Sequence, residues 1–171
     1  FRQYQLENAW VWEHQALSRA RFVAGDSRVG EGFEAVRREI LCLERDPASL
    51  RDEVAAMRQK MLDAHGSKTP GEFDLKHDRG GIIDVEFIVQ YLILAHARRH
   101  PELCGNLGNI ALLAIAAGLG LIPADLADGA RDAYREYRRL QHLLRLNAAP
   151  KARVERALAA RQIDAVSVLW H

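Results

Sequence analysis

Asp84 and Glu86 stand two residues apart at the head of the apolar run in "FDLKHDRGGIIDVEFIVQYLILAHA", residues 73–97. Before them come Gly80-Gly81 and a charged group, Lys76, His77, Asp78 and Arg79. Carboxylates can hold a metal or take a proton, and a lysine beside a helix start collects anions. A glycine pair lets another backbone or a ligand approach closely. On a helix, side chains two apart diverge by about 200°, so D-x-E is a weak metal or general-base signal. Near a first turn, Asp84 caps exposed N–H groups, worth about 0.5–2 kcal/mol. A buried, unpaired Glu86 would cost roughly several kcal/mol, so it must meet a cation or face a cleft. Two readings follow. In one, Asp84 caps, Glu86 pairs with Lys76 or Arg79, and the glycines make a turn. In the other, this helix start lines with Lys76 a site for an anion such as a nucleotide triphosphate.

A second set lies in "ARDAYREYRRLQHLLRLN". At 3.6 residues per turn, Arg131, Arg135, Arg138, His142 and Arg145 share one stripe, opposite Ala133, Tyr137, Leu140 and Leu144. This is either a solvated face, partly neutralised by Asp132–Arg135 and Glu136–Arg139, or a docking stripe for an acidic partner. Other motifs fail on context. "GLGLIP" has no strand before it, and "GSKT" lacks the earlier glycine of a phosphate loop. The seven histidines form no i,i+4 pair with a third ligand, so no metal site is expected.

The elements that carry these residues are helical. Periodicity predicts helices over about Leu6–Val23, Phe33–Arg45, Pro47–His65 with Asp46 as N-cap, Ile83–Arg99, Leu107–Ala117 and Pro123–Asn147. One or two short helices follow after Pro150. Gly25, Gly30 and Gly32 are expected to break the chain after the first helix, and "FDLKH" to be a short extended piece. From Val85 to Leu94 apolar residues point in every direction, which marks the central rod of the bundle. Its polar ridge is Glu86 and Gln90. The fold class is all-α, a single bundle of about seven helices. Trp10, Trp12 and Trp170 are expected to anchor packing or to meet a neighbouring domain.

With 171 residues and a net charge of +1, the chain has no bulk field for nucleic acid or an anionic membrane. The run Phe87–Ala95 is too short to span a bilayer. Two cysteines outside any CxxC pair fit reduced core thiols in the cytoplasm. The start at Phe1, in mid-pattern and without methionine, reads as a piece of a longer polypeptide.

"DLKHDRGGIIDVEFIVQYL" resembles the signature behind the second nucleotidyltransferase domain of the bacterial glutamine synthetase adenylyltransferases, bifunctional adenylylating and adenylyl-removing enzymes. "AWVWEHQALSRARFVAGD", residues 9–26, is similar to the segment just upstream in that half. The related PII uridylyltransferases share the glycine–aspartate motif, but the Trp-rich segment favours the adenylyltransferases. The resemblance implies an accessory helical domain of a nucleotidyltransferase, following the C-terminal, adenylylating catalytic domain; the alternatives are the equivalent domain of a PII uridylyltransferase or a non-catalytic helical module that binds a regulatory protein. It implies ATP and Mg²⁺ as cofactors of the whole enzyme, and glutamine synthetase, PII protein and the preceding catalytic domain as partners. The family's G-S-x(n)-D-x-D metal pattern is missing here, so no catalytic residue and no cofactor requirement are expected of this chain alone. Lys76, Gly80, Gly81, Asp84, Glu86 and Gln90 match the family's pattern, as do Gln15, Arg19 and Arg21. Lys76 or Arg21 is expected to hold nucleotide or the adjoining domain, and Asp84 and Glu86 to fix that cation and the loop.

Overall fold

A computed structural model describes residues 1–170. They form eight α-helices, two short 3₁₀ helices and one two-stranded sheet. The helices are α1 (Arg2–Glu7), α2 (Val11–Leu17), α3 (Ser27–Leu41), α4 (Pro47–His65), α5 (Ile82–His96), α6 (Asn109–Gly118), α7 (Ala124–Leu146) and α8 (Ala160–Trp170). The strands are β1 (Glu72–Asp74) and β2 (Arg153–Glu155). The all-α expectation holds, and the sheet is a small clasp.

Two compact units make up the chain. The first comprises residues 1–56 and 90–107. The expected helix over Leu6–Val23 is here split into α1 and α2. The Glu13 carboxylate turns back to accept the Trp10 N–H at 2.8 Å, which starts a new helix at Val11. Ser18 ends it, its hydroxyl donating to the Gln15 carbonyl at 2.6 Å. The next helix begins at Ser27 rather than Phe33, because Asp26 caps it by accepting the Arg28 N–H at 2.9 Å. Gly30 and Gly32 lie inside α3. Gly30 is no breaker: a Cβ there would sit 2.8 Å from the Phe22 ring, so the glycine makes room for it.

Asp46 and Pro47 start α4 as expected, with the Ser49 N–H donating to Asp46 at 2.8 Å. Trp10 and Trp12 are exposed, against the expectation that they anchor packing. The buried centre includes Ile40, Leu41, Leu50, Val54, Ile93 and Leu103. Arg37, only 2% exposed, ties its backbone together. Its guanidinium donates to the carbonyls of Leu17 (3.1 Å), Ser18 (2.9 Å) and Cys104 (3.0 Å). The Cys42 and Cys104 thiols are unlinked, with sulfurs 3.7 Å apart. Burial, helped by Cys42, pushes the Cys104 thiol up to about 12.

The second unit comprises, among the described residues, 57–89 and 108–170. Helices α6 and α8 pack on α7. Strands β1 and β2 are antiparallel, with Glu72 opposite Glu155, Phe73 opposite Val154 and Asp74 opposite Arg153. β2 occupies part of the tail where only helix was expected. Phe73, Leu75, Val85, Leu113, Tyr137 and Val166 are fully buried in this unit. The first half of α5 is buried on nearly every side, and only Glu86 there is half-exposed.

Removing Arg37 strands three buried acceptors. Arg37→Met should therefore lower unfolding stability by about 3 kcal/mol or more, read from urea denaturation. A loss under about 0.5 kcal/mol, typical of a surface change, would contradict this role.

Candidate functional site

The loop from Asp74 to Asp84 is built on three aspartates, each committed to the fold. Asp74 Oδ1 accepts the N–H groups of Lys76 (3.0 Å) and His77 (2.9 Å), and lies 3.1 Å from His77 Nδ1. Asp78 accepts the Ser67 N–H at 2.6 Å and the Asp74 N–H at 2.8 Å. Asp84 accepts the Gly80 N–H with one oxygen and the Arg58 Nε–H with the other.

Arg58 is fully buried and Asp84 nearly so. The same guanidinium donates from Nη2 to the carbonyls of His77 (2.8 Å) and Asp78 (3.0 Å). The Tyr137 hydroxyl closes the knot by donating to the Gly80 carbonyl at 2.8 Å. Burial, then the nearby Asp84 charge, pushes the Tyr137 phenol up, so it stays a neutral donor. Gly80 has φ +84°, and a Cβ on it would lie 2.9 Å from the Ile163 carbonyl oxygen. A Cβ on Gly81 would lie 2.8 Å from the Leu75 carbonyl oxygen. Both glycines are therefore required by close approach of backbone.

The cation of Asp84 is Arg58, which the sequence reading missed. Its signal was available: Leu50, Val54 and Arg58 recur at i,i+4, so an arginine occupies the buried stripe of α4. Arg79 sits 3.8 Å from Asp84 and stacks over the Trp170 ring at 5.5 Å. Glu86 has no ion-pair partner among the described residues, so its expected pairing with Lys76 or Arg79 is not formed. In the other unit, Gln90 accepts from the Gln15 amide at 2.9 Å, and Arg19 and Arg21 are exposed.

Lys76 is exposed and lines a groove of about 350 Å³ in the second unit. Arg145, from the end of α7, lines it as well, with His77, Lys151 and Arg153. Lys76 and His77 of the first sequence-derived constellation thus meet Arg145 of the second in the same place. Along α7, Arg131 pairs with Asp128, Arg135 with Asp132, and Arg139 with Glu136. Arg138 and His142 instead border exposed Leu143 and Leu146. Among the described residues, no cluster of three or more His, Cys, Asp or Glu is placed to hold a metal ion.

Comparison with known proteins follows this geometry. Residues 48–157, which contain the knot and the whole lining of the groove, match the family model described as GlnD PII-uridylyltransferase. Residues 1–36 match that described as glutamate-ammonia ligase adenylyltransferase. The chain is 59% identical over 170 residues, 99% of its length, to the bifunctional glutamine synthetase adenylyltransferase/adenylyl-removing enzyme of Aromatoleum aromaticum. It is 65% identical over 158 residues, 92% of its length, to the protein of that name from Chromobacterium violaceum. The chain belongs to this adenylyltransferase family. It spans only 18% and 17% of those two relatives, and so corresponds to under a fifth of their length. In this chain the aspartate knot lies within the residues that the uridylyltransferase description covers. No helix among the described residues is long and apolar enough to cross a membrane.

In this adenylyltransferase-family chain, Arg58→Met should cost about 3–5 kcal/mol of stability, because it strands the His77 and Asp78 carbonyls and leaves buried Asp84 only the more distant Arg79 as a cation. Lys76→Ala, at an exposed site, should cost under about 0.5 kcal/mol. Paired urea titrations check both, and equal losses would refute the division between knot and groove.

Proposed function

We propose that the chain is a helical accessory domain in the cytoplasmic enzyme that transfers AMP from ATP to a tyrosine of glutamine synthetase. It follows the C-terminal, adenylylating catalytic domain in this reading. The tyrosine oxygen attacks the α-phosphorus and pyrophosphate leaves; Mg²⁺, which the catalytic domain would hold, would supply neutralisation of the phosphate charge. This chain's part is to place, not to react. One observation carries that assignment: Asp74, Asp78 and Asp84 are all consumed by backbone N–H groups or Arg58. None is left to bind metal or take the tyrosine proton.

In this reading Gly80, Gly81 and Asp84 shape the loop, and Lys76 contacts nucleotide or the catalytic domain. Glu86, Gln90, Arg19 and Arg21 serve the junction with that domain. Exposed Trp10 and Trp12 fit the same junction. The partly paired stripe of Arg131, Arg135, Arg138, His142 and Arg145 docks glutamine synthetase, the PII protein or the other half of the enzyme. A second reading, a PII uridylyltransferase domain, is favoured by the uridylyltransferase-described match over residues 48–157.

Labelled ATP and UTP, offered with glutamine synthetase and PII to the protein that carries this chain, separate the two. AMP on glutamine synthetase is expected, and UMP on PII instead would overturn the proposal. In that assay Lys76→Ala should reduce transfer roughly tenfold or more with little change in melting temperature. Arg135→Glu with Arg138→Glu should slow association with glutamine synthetase roughly tenfold at low salt, and less at high salt. Unchanged association at low salt would remove the docking role.

A further inference from the structure

The β1–β2 register has a consequence beyond the clasp. Asp74 lies opposite Arg153, and the Leu75 N–H donates to the Ala152 carbonyl at 2.9 Å. The next residues along each chain, Lys76 and Lys151, therefore leave the same end of the ladder. Like charges at such neighbouring positions destabilise a sheet unless something compensates them. At that end α7 stops: Ala148 takes φ 54°, its N–H bonds the Arg145 carbonyl at 3.0 Å, and the chain turns through Pro150 to Lys151. Arg145 thereby joins the two lysines around the groove.

The charges there do not cancel. Arg153 is matched by Glu72 at 3.1 Å and Asp74 at 3.5 Å. Asp74 is the groove's one carboxylate, and it is already engaged by two N–H groups, His77 and Arg153. Lys76, Arg145 and Lys151 have no ion-pair partner among the described residues, whereas Arg131, Arg135 and Arg139 on the same helix α7 each have one. Three uncompensated cations from three segments thus face a concavity within the size range of small-molecule sites, roughly 300–1,000 Å³.

We propose that this groove binds an oligophosphate, held by Lys76, Arg145 and Lys151. A single carboxylate would satisfy one cation. A di- or triphosphate carries several negative charges on adjoining tetrahedral groups and can meet all three at once, with His77 at the rim. The site deepens the proposed nucleotide-handling role but is tested without it, because binding to this chain needs no adenylyl transfer.

The test is calorimetric titration of the chain with inorganic tripolyphosphate, with ATP, and with a tetraglutamate peptide, all free of divalent metal. Tripolyphosphate should bind, more weakly as salt rises. Lys76→Ala, Arg145→Gln and Lys151→Ala should each weaken it about tenfold. Arg139→Gln, an exposed variant on α7 outside the groove, should leave the affinity unchanged. Circular dichroism of each variant confirms folding, since all four sites are exposed. Equal affinity for ATP and tripolyphosphate assigns recognition to phosphates alone, and tighter ATP binding adds a nucleoside contact. No tripolyphosphate binding at millimolar concentration, equal binding of tetraglutamate, or full binding by the triple groove variant would each overturn the proposal. Oligophosphate binding with no transfer by the longer protein would leave this site standing and remove only the adenylyltransferase role.

Discussion

The buried pair of Arg58 and Asp84 is the constraint on which the second unit's working surface rests. Neither charge reaches water, so each must be satisfied internally. Arg58 meets most of that demand, with Nε on the carboxylate and Nη2 on the carbonyls of His77 and Asp78, while Nη1 has no hydrogen-bond partner among the described residues. Asp84 meets it by taking the Gly80 N–H. A chain segment that would otherwise sample many turns is thus held in one. Such a pair is weak evidence for net stability, because a well-packed apolar replacement can be as stable. Its effect here is conformational: it fixes where the loop's backbone runs and hence where Lys76 emerges.

That fixing explains a segregation of charge. The acids of the loop point inward, to N–H groups and to Arg58, while the basic side chains Lys76, Arg145 and Lys151 are left at the surface. The chain's net charge of +1 conceals this, because sums over a sequence do not report which partners are already spent. Like-charge crowding in the groove is tolerated because the side chains are long and solvated, and an arriving polyanion relieves it. A surface whose cations lack partners while the adjoining acids are all engaged is arranged for recognition rather than acid–base work.

Much of the fold was legible because the signals were local. Asp46-Pro47 set the start of α4, and the all-round apolar run set α5 as a buried rod. The failures were equally physical. Continuous periodicity hid the break at Asn8–Trp10, which depends on Glu13 folding back rather than on a breaker residue. Gly30 reads in the sequence as a helix breaker, although its missing side chain serves the Phe22 ring. β2 escaped notice because its three residues gain strand identity only from pairing with β1. In the site, Gly80, Gly81 and Asp84 could be singled out from the sequence, but their partner Arg58 lies 26 residues away on another helix. Lys151 carried no signal at all, since only the ladder register brings it beside Lys76.

The same register argument limits what the groove can recognise. Lys76 and Lys151 stem from adjoining chains of one ladder end, and Arg145 from a helix end locked by the turn at Ala148. Their backbones are therefore held by hydrogen bonds that no ligand has to create. Flexibility remains only in the side chains, and ordering a lysine costs up to about 2 kcal/mol of rotamer entropy. A singly charged ligand that orders one such side chain gains little. A ligand that engages three cations through one compact group of phosphates spreads its own association cost over several charge-assisted contacts. The fixed backbone and loose side chains thus favour dense, multiply charged anions, and they disfavour isolated carboxylates on a protein surface.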